Sequence, residues 1–334
     1  MIIEKQSYPR AALIGNPSDG YYGKTIAFVF KNFQAHVQLY QTPELELIPE
    51  KSDVDRFENI CDLAAKVDLK GYYGGLRLIK AAIKVFYNYC LQSEIRLDDR
   101  NFTIRYGSNI PLRLGLAGSS AIITATFKAL MAFYGVTIAR PIMANLVLSV
   151  ENNELGIAAG LQDRVAQAYE APVYMNFDKK IMEKQGYGEY EALSAAPLSN
   201  LYIAFRRNLS EGTEVLHNNL RARFNIGEKD VLAAMDEWAY LTVQFKQAME
   251  AHNHDLMAEL INRNFDLRRS LIKIEKGNIE MVEAARSTGA SAKFTGSGGA
   301  IIGTYTDEKM FENLKAVLSE KEIEVFKPEI GDKS

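Results

Sequence analysis

The stretch from Pro111 to Leu130, PLRLGLAGSSAIITATFKAL, decides what kind of fold this chain adopts. At its centre, none of the five residues 117–121 is larger than serine. The segment before it, NFTIRYGSNI, alternates polar and apolar residues and predicts a strand, and an amphipathic helix pattern follows as far as Phe133. A strand that turns into a helix through residues with small side chains exposes backbone N–H groups that favour an anion such as phosphate. The alternative is an ordinary capped helix with a tight packing contact.

Length, composition and charge restrict the class of protein. A chain of 334 residues that is 47% hydrophobic can bury a core and is long enough for two domains. The net charge of −3 gives no support for binding nucleic acid or an anionic membrane, and no apolar run is long enough to span a bilayer. Cys61 and Cys90 form no disulfide pattern. We therefore expect a cytoplasmic protein, a monomer or homodimer, whose partner is a small molecule.

Residues 20–25, GYYGKT, are similar to the end of a Walker phosphate-binding loop. Ser18 stands where that motif requires its first glycine. The following TIAFVFKNFQAHVQLY is rich in β-branched and aromatic residues, which predicts a strand, whereas a Walker loop must open a helix. The pattern therefore argues against a Walker loop.

Hydrophobic periodicity divides the chain into two halves of mixed strand and helix. In the first half, strands are predicted in AALIGNP and the residues up to about 50, a helix over 74–93, and another helix from Pro141 to about Gly156. APVYMNF predicts a strand, and residues 178–197 a polar crossing. The second half is predicted to contain the strand LYIAFRR, long helices between about 229 and 287, the strand AIIGTY, a short helix and the strand EIEVFKPEI.

Two acidic positions and two serines are the residues best suited to chemistry. Asp163 lies between the apolar segments AAGL and VAQAY, and a partly buried carboxylate needs a partner or a task. The plainer interpretation is an exposed helix acid paired with Arg164. Ser119 and Ser120 have hydroxyls that can cap the helix, bond a phosphate or ligate Mg²⁺. Glu151, taken alone, is typical of a solvated helix residue.

Three motifs in order resemble those of the GHMP kinases, the superfamily of galactokinase, homoserine kinase, mevalonate kinase and phosphomevalonate kinase. PLRLGLAGSSA is similar to the family's second motif, which wraps the phosphates of ATP, although Ala117 stands where glycine or serine is usual. PRAALIGNPSDGYYG resembles the first motif, with its arginine at Arg10, a glycine at Gly15 and a sugar-binding aspartate at Asp19. KFTGSGGAIIG resembles the third, a glycine turn beside the active site over residues 296–299.

The resemblance covers essentially the whole chain and implies a fold of the α+β class. This is the two-domain GHMP kinase fold, with a ribosomal-protein-S5-domain-2-like N-terminal domain over residues 1–190. A ferredoxin-like α/β sandwich is expected over residues 191–334. The implied cofactors are ATP and Mg²⁺.

The family motifs also imply particular site residues. Asp163 follows a Gly-x-x-x-Gly-x-x-Asp pattern and is implied to be the catalytic base, with Arg10 keeping it ionised. Mg²⁺ is implied at Ser120 and Glu151, with Glu154 as the rival glutamate. An acceptor site is implied at Asn16, Asp19, Tyr21 and Gly160. The implied nucleotide site comprises Pro111, Gly115, Leu116, Ala117, Gly118, Ser119, Ser120, Ala121, Gly296, Ser297 and Gly298.

Four stretches are longer than the shared ATP motifs: LIGNPSDGYYGKTIAFVFKNF, GGLRLIKAAIKVFYNYC, GSNIPLRLGLAGSSAIITA and LGIAAGLQDRVAQAYEAPVYMNF. Within the superfamily they resemble the glucuronokinases, which phosphorylate the anomeric hydroxyl of glucuronic acid. Such a substrate requires a cation for its carboxylate, ideally a bidentate arginine. Arg77, Arg164 and Lys24 are candidates that the sequence does not separate. On this hypothesis glucose would be rejected because it leaves a buried cation unpaired. The alternatives are a kinase for another sugar, a heptose phosphate or mevalonate, and a sugar sensor on the same fold that no longer turns over.

Overall fold

A computed structural model describes residues 2–50, 74–112, 114–206 and 220–331. The strands are β1 (Ile2–Ser7), β2 (Arg10–Ile14), β3 (Lys24–Val29), β4 (Ala35–Thr42), β5 (Glu46–Ile48), β6 (Asn101–Ser108), β7 (Val173–Asn176), β8 (Glu189–Ala192), β9 (Leu201–Phe205), β10 (Lys293–Phe294), β11 (Ala300–Thr304) and β12 (Glu324–Phe326). The helices are α1 (Gly75–Gln92), α2 (Gly118–Tyr134), α3 (Arg140–Ser149), α4 (Leu161–Tyr169), α5 (Lys179–Gln185), α6 (Lys229–Glu250), α7 (His254–Leu271), α8 (Lys276–Arg286) and α9 (Glu308–Ser319). This mixture confirms the α+β class predicted from the sequence.

The chain forms two compact units, each built from separate segments. The first unit comprises Met1–Ser7, Phe33–Asn109 and Gly118–Ala159; the second comprises Tyr8–Asn32, Ile110–Ala117 and Gly160–Ser334. This is a division by compactness, so the family-domain boundary expected at residue 190 stays a prediction.

In the first unit, a four-stranded sheet in the order β1-β4-β6-β5 carries helices. β4 alternates buried and accessible residues along its first half, as expected for a strand with one covered face. α2 packs against β1 and β4, and α1 packs against α2. α1 has a buried stripe that includes Leu78, Ala82 and Phe86, at the spacing of an amphipathic helix.

The second unit contains two antiparallel four-stranded sheets, in the orders β2-β3-β7-β8 and β10-β11-β9-β12. α4 packs on β2, β3 and β7, and α6 packs on β2 and β3. α7 contacts β2, β10 and β11. The strand predicted over residues 25–40 is divided into β3 and β4 by a turn, which corrects the single strand expected there. Thr25 lies within β3 and not at the start of a helix, so the rejection of a Walker loop is confirmed.

The polar crossing expected over residues 178–197 is wrong in part, because the segment contains α5 and β8. The side chain of Asp178 caps α5 by accepting hydrogen bonds from the N–H groups of Lys180 and Ile181. β8 pairs with β7 as an edge strand that is largely accessible. Its polar composition concealed the strand, since neither face of β8 is fully buried.

Within the described residues, no helix is both long and apolar enough to cross a bilayer.

Candidate active site

Asp163 is held by two arginines in the second unit. It lies in the first turn of α4, and its Oδ1 atom is 2.6 Å from Nη2 of Arg10, the first residue of β2. Nη1 of Arg164 lies 3.0 Å from Oδ2 of Asp163 and also donates to the Gly160 carbonyl at 2.9 Å. Both arginine side chains are buried, whereas the Asp163 side chain keeps 18% of its surface accessible. The predicted pairing of Arg10 with Asp163 is present, and a carboxylate in this setting can accept a proton from a ligand.

The charge state of Asp163 follows from these neighbours. Burial by itself would raise its pKa, but the guanidinium groups of Arg10 and Arg164 outweigh burial and lower the pKa below 3.8. The side chain is therefore ionised at neutral pH. The pair with Arg164 that belongs to the plainer interpretation is present, but Asp163 is not the exposed helix acid of that interpretation, because its side chain is largely buried between two arginines.

Asp19 lies beside this cluster but has the opposite electrostatic character. Burial first, and then the negative charge of Asp163, raise the pKa of Asp19 from 3.8 to about 6, although Arg10 acts in the other direction. A Cβ atom on Gly160 would lie 2.6 Å from Oδ2 of Asp19, so only a glycine leaves room for this carboxylate. Asp19 and Gly160, two of the acceptor candidates, are thus in contact, next to Asp163.

The other two acceptor candidates are buried on either side of Asp19. Asn16 donates through Nδ2 to the carbonyl of Gly296 at 3.3 Å. Its Oδ1 atom is buried and accepts no hydrogen bond from the part of the chain that the structure describes. The ring of Tyr21 packs on Phe224, with centroids 5.0 Å apart. Asn16 therefore has a side-chain acceptor available to a hydroxyl.

The third glycine motif, residues 296–299, packs closely against the loop that precedes α2. A Cβ atom on Gly296 would lie 2.5 Å from the carbonyl oxygen of Gly115. A Cβ atom on Gly115 would lie 3.1 Å from both the Ser297 nitrogen and the Gly298 carbonyl. Arg10 Nη1 donates to the carbonyl of Thr295, immediately before this turn. The two glycine motifs are therefore brought together beside the Arg10–Asp163 pair.

Two side chains of α7 hold the turns around this site, and sequence reasoning missed both. Asn264 accepts through Oδ1 from the N–H of Gly15 at 2.7 Å and donates to the carbonyl of Asn16 at 3.2 Å. Arg268 donates to the carbonyls of Gly296 and Ser297 at 2.8 and 2.6 Å. Their spacing of four residues places them on one helical face, which is the signal that could have found them.

A third missed residue, Gln167, lies one turn after Asp163 on α4. Its buried side chain donates through Nε2 to the carbonyls of Tyr8 and Ala117, each at 3.0 Å. Ala117 has a φ of 61°, a left-handed conformation that is uncommon outside glycine. Gln167 therefore supports the strained residue at which the family motif has glycine or serine.

Lys293 is a buried cation behind the same cluster. Its ammonium donates to the carbonyls of Ala12 and Phe294 at 2.6 and 2.7 Å. Burial, together with the nearby charges of Arg268 and Arg10, lowers its pKa well below the usual value. This lysine adds positive potential close to the Arg10–Asp163 pair when it is protonated.

In the first unit, α2 begins at Gly118 and Ser119 hydrogen-bonds Glu151. The Oγ atom of Ser119 donates to Oε1 of Glu151 at 2.7 Å, and Glu151 is buried in the π-helical turn Val150–Glu154. Ser120 is buried in the first turn of the helix. The rival glutamate, Glu154, instead pairs with Lys84 at the surface, at 2.5 Å. Glu151 is therefore no solvated helix residue. Of the remaining nucleotide candidates, Pro111 is half-buried and Leu116 and Ala121 are buried.

The donor chemistry near the start of α2 suits magnesium. Within the described residues, no cluster of three or more His, Cys, Asp or Glu side chains could hold a metal by itself. Mg²⁺ in phosphoryl-transfer sites typically takes one or two carboxylates, with other oxygens from water and phosphates. Glu151, a buried carboxylate that accepts a hydrogen bond from Ser119, supplies one carboxylate of that kind.

Two family models match the chain: the N-terminal domain of GHMP kinases over residues 77–171 and the C-terminal domain of GHMP kinases over residues 245–323. The chain is 43% identical to the probable glucuronokinase 2 of Arabidopsis thaliana, over 90% of this chain and 84% of that relative. It is 42% identical to glucuronokinase 1 of the same plant, with the same coverage.

The fold is similar to that of a Streptococcus pneumoniae phosphomevalonate kinase solved in complex with phosphomevalonate and AMPPNP. The TM-score is 0.75 at 14% sequence identity, over 97% of this chain and 98% of that structure. With the paired Arg10 and Asp163, the interlocked glycine motifs and these matches, the chain belongs to the GHMP kinases, ATP-dependent phosphotransferases with an alcohol group as acceptor.

Proposed function

We propose that the protein transfers the γ-phosphoryl group of ATP to the anomeric hydroxyl of glucuronic acid, giving glucuronate 1-phosphate and ADP. The observation that carries this proposal is the 42–43% identity to two glucuronokinases over 90% of the chain. We place the reaction in the cytoplasm, because the sequence has two cysteines and no disulfide pattern.

Asp163 acts as the base in this proposal. Its lowered pKa supplies an ionised carboxylate that takes the proton of the anomeric hydroxyl as the oxygen–phosphorus bond forms and the bond to ADP breaks. Arg10 orients the carboxylate through the 2.6 Å contact. Asp19 and the free acceptor Oδ1 of Asn16 receive hydrogen bonds from other sugar hydroxyls. Phosphoryl transfer depends mainly on positioning and charge stabilisation, so few residues need to react.

The start of α2 binds the phosphates of ATP in this proposal. The N–H groups of Gly118 and Ser119 have no helical partner of their own at a helix N-terminus, and the helix dipole favours an anion there. Ser120 and Glu151 would hold Mg²⁺, which when bound offsets the charge of the phosphates. Gly118 leaves space for the close approach of phosphate, so Gly118→Val should weaken ATP binding more than sugar binding.

The acceptor is tested by ADP release from a panel of glucuronate, galacturonate, glucose, galactose, mevalonate and a heptose phosphate. We expect the highest kcat/KM with glucuronate and a product with phosphate at the anomeric carbon by NMR. Asp163→Asn should lower kcat about 10²–10⁴-fold. Because an anomeric hydroxyl is more acidic than an ordinary alcohol, the lower end is expected. A higher kcat/KM with another acceptor would refute glucuronate as the substrate. An Asp163→Asn enzyme as fast as wild type would refute Asp163 as the catalytic base.

The metal assignment is tested by comparing three variants in a Mg²⁺ titration. Glu151→Gln and Ser120→Ala should require more Mg²⁺ for half-maximal rate and should lower kcat. Glu154→Gln is the matched control, because Glu154 pairs with Lys84 at the surface and should behave as wild type. A shift with Glu154→Gln, or none with Glu151→Gln, would contradict the assignment.

A further inference from the structure

A uronic acid differs from a neutral sugar by one carboxylate, so its recognition calls for a cation in the acceptor site. Arg164, one of the three sequence candidates, is buried and already bound to Asp163 and the Gly160 carbonyl. Lys24 has a single ammonium, which cannot form the paired hydrogen bonds of a guanidinium. Neither is well suited to this role, and Arg77, near the start of α1, stays a prediction from the sequence.

Arg221, which sequence reasoning missed, lies directly beside the acceptor turn. Residues 220–225 are helical, and the Arg221 guanidinium lies over the ring of Tyr21, with Cζ 4.2 Å from the ring centroid. A Cβ atom on Gly20 would lie 3.1 Å from Nη2 of Arg221. The guanidinium is thus packed against the two residues that follow Asp19 in the chain.

The surroundings of Arg221 fix its guanidinium while leaving its donors accessible. The side chain is exposed, and among the described residues Arg221 forms no salt bridge or hydrogen bond. Phe224, one turn further along, packs on the same Tyr21 ring and so holds this helical turn against the acceptor loop. Because a guanidinium stacked on a ring keeps its N–H groups in the plane, it can still donate two parallel hydrogen bonds to a carboxylate.

We propose that Arg221 binds the carboxylate of the uronic acid and determines the preference for uronic acids over neutral sugars; this rests on the proposed function. Tyr21 then acts mainly as the platform that orients Arg221. Because Arg221 is exposed in the free protein, a neutral sugar does not bury an unpaired cation. The preference therefore comes from gained hydrogen bonds, about 10–100-fold in kcat/KM, and is smaller than a buried arginine would impose.

The test compares kcat/KM for glucuronate and for glucose in wild type, Arg221→Gln, Arg221→Lys and Arg269→Gln. We expect Arg221→Gln to lower kcat/KM for glucuronate about 10–100-fold, mostly through KM, and to change that for glucose less than about 3-fold. Arg221→Lys should give an intermediate kcat/KM for glucuronate, since lysine keeps the positive charge but lacks the paired N–H donors of the guanidinium. Arg269→Gln is the control: it removes one charge from an exposed pair with Glu283 and should leave the ratio unchanged.

Gly20→Ala provides a second variant that keeps Arg221, in case Arg221→Gln does not fold. The added methyl group crowds Nη2 and should lower the glucuronate-to-glucose ratio in the same direction. Equal losses on both sugars, or an unchanged ratio, would show that Arg221 only supports Tyr21 and would overturn the proposal. A wild-type enzyme that phosphorylates glucose or galactose but not glucuronate would instead overturn the proposed acceptor, and the role of Arg221 with it.

Discussion

Asp19 and Asp163 are neighbouring aspartates whose replacement by asparagine should change stability in opposite directions. Folding raises the pKa of Asp19 from 3.8 to about 6. At about 1.4 kcal/mol per unit, the ionised side chain costs the folded protein about 3 kcal/mol at neutral pH. Asp19→Asn removes this cost and should stabilise the protein by about 2–3 kcal/mol at pH 7.5; on the proposed function it also weakens the hydrogen bonds to the sugar, because a neutral amide oxygen replaces a carboxylate.

Asp163→Asn has the opposite effect because its carboxylate is paired. The folded state lowers the pKa of Asp163 through Arg10 and Arg164, so the ionised form stabilises the fold. Removing one partner of a largely buried ion pair typically costs about 3 kcal/mol or more. The two variants remove the same charge from adjacent positions, so each controls for the change in net charge of the other.

The assay is thermal unfolding at pH 5 and pH 7.5. The folded protein binds the Asp19 proton more tightly than the unfolded chain, so the cost of Asp19 is absent below pH 3.8, grows as pH rises, and is complete above about pH 6. The Tm gain of Asp19→Asn over wild type should therefore be larger at pH 7.5 than at pH 5. A destabilised Asp19→Asn protein, or a gain independent of pH, would refute the reasoning, as would an Asp163→Asn protein as stable as wild type.

Three further outcomes are expected. The kcat/KM for the acceptor should fall as pH drops below about 6, because Asp19 then becomes protonated; a flat profile between pH 5 and 8 would contradict its role. Gly296→Ala should destabilise the protein by about 1–3 kcal/mol, because its methyl group would lie 2.5 Å from the Gly115 carbonyl; unchanged Tm and KM for ATP would argue against the interlocked turns. Gln167→Leu should raise KM for ATP, because the Ala117 carbonyl loses its donor; its kcat on the acceptor should change less, and a loss in kcat alone would indicate another role.

The elements of the fold were largely predictable because helices and strands depend on local periodicity. Residue size and spacing alone predicted the strand FTIRY, the turn of small residues after it, and α2. The structure confirms that α2 begins at Gly118. The incorrect prediction of a polar crossing over residues 178–197 also comes from reliance on local sequence. β8 is an accessible edge strand that depends on pairing with β7, and pairing partners leave no mark in the local sequence.

The family motifs likewise singled out Arg10, Asp163 and the glycine turns, and the structure brings these residues together. Their roles toward a ligand stay predictions. The sequence alone thus determined the fold class, the family and the local motifs. Only the tertiary structure decided which of their side chains meet, because strand order and helix packing bring together residues that are far apart in the chain. It separated Glu151, bonded to Ser119, from Glu154 at the surface. It also placed Arg221 on Tyr21, a contact made by folding that no spacing within either segment could reveal.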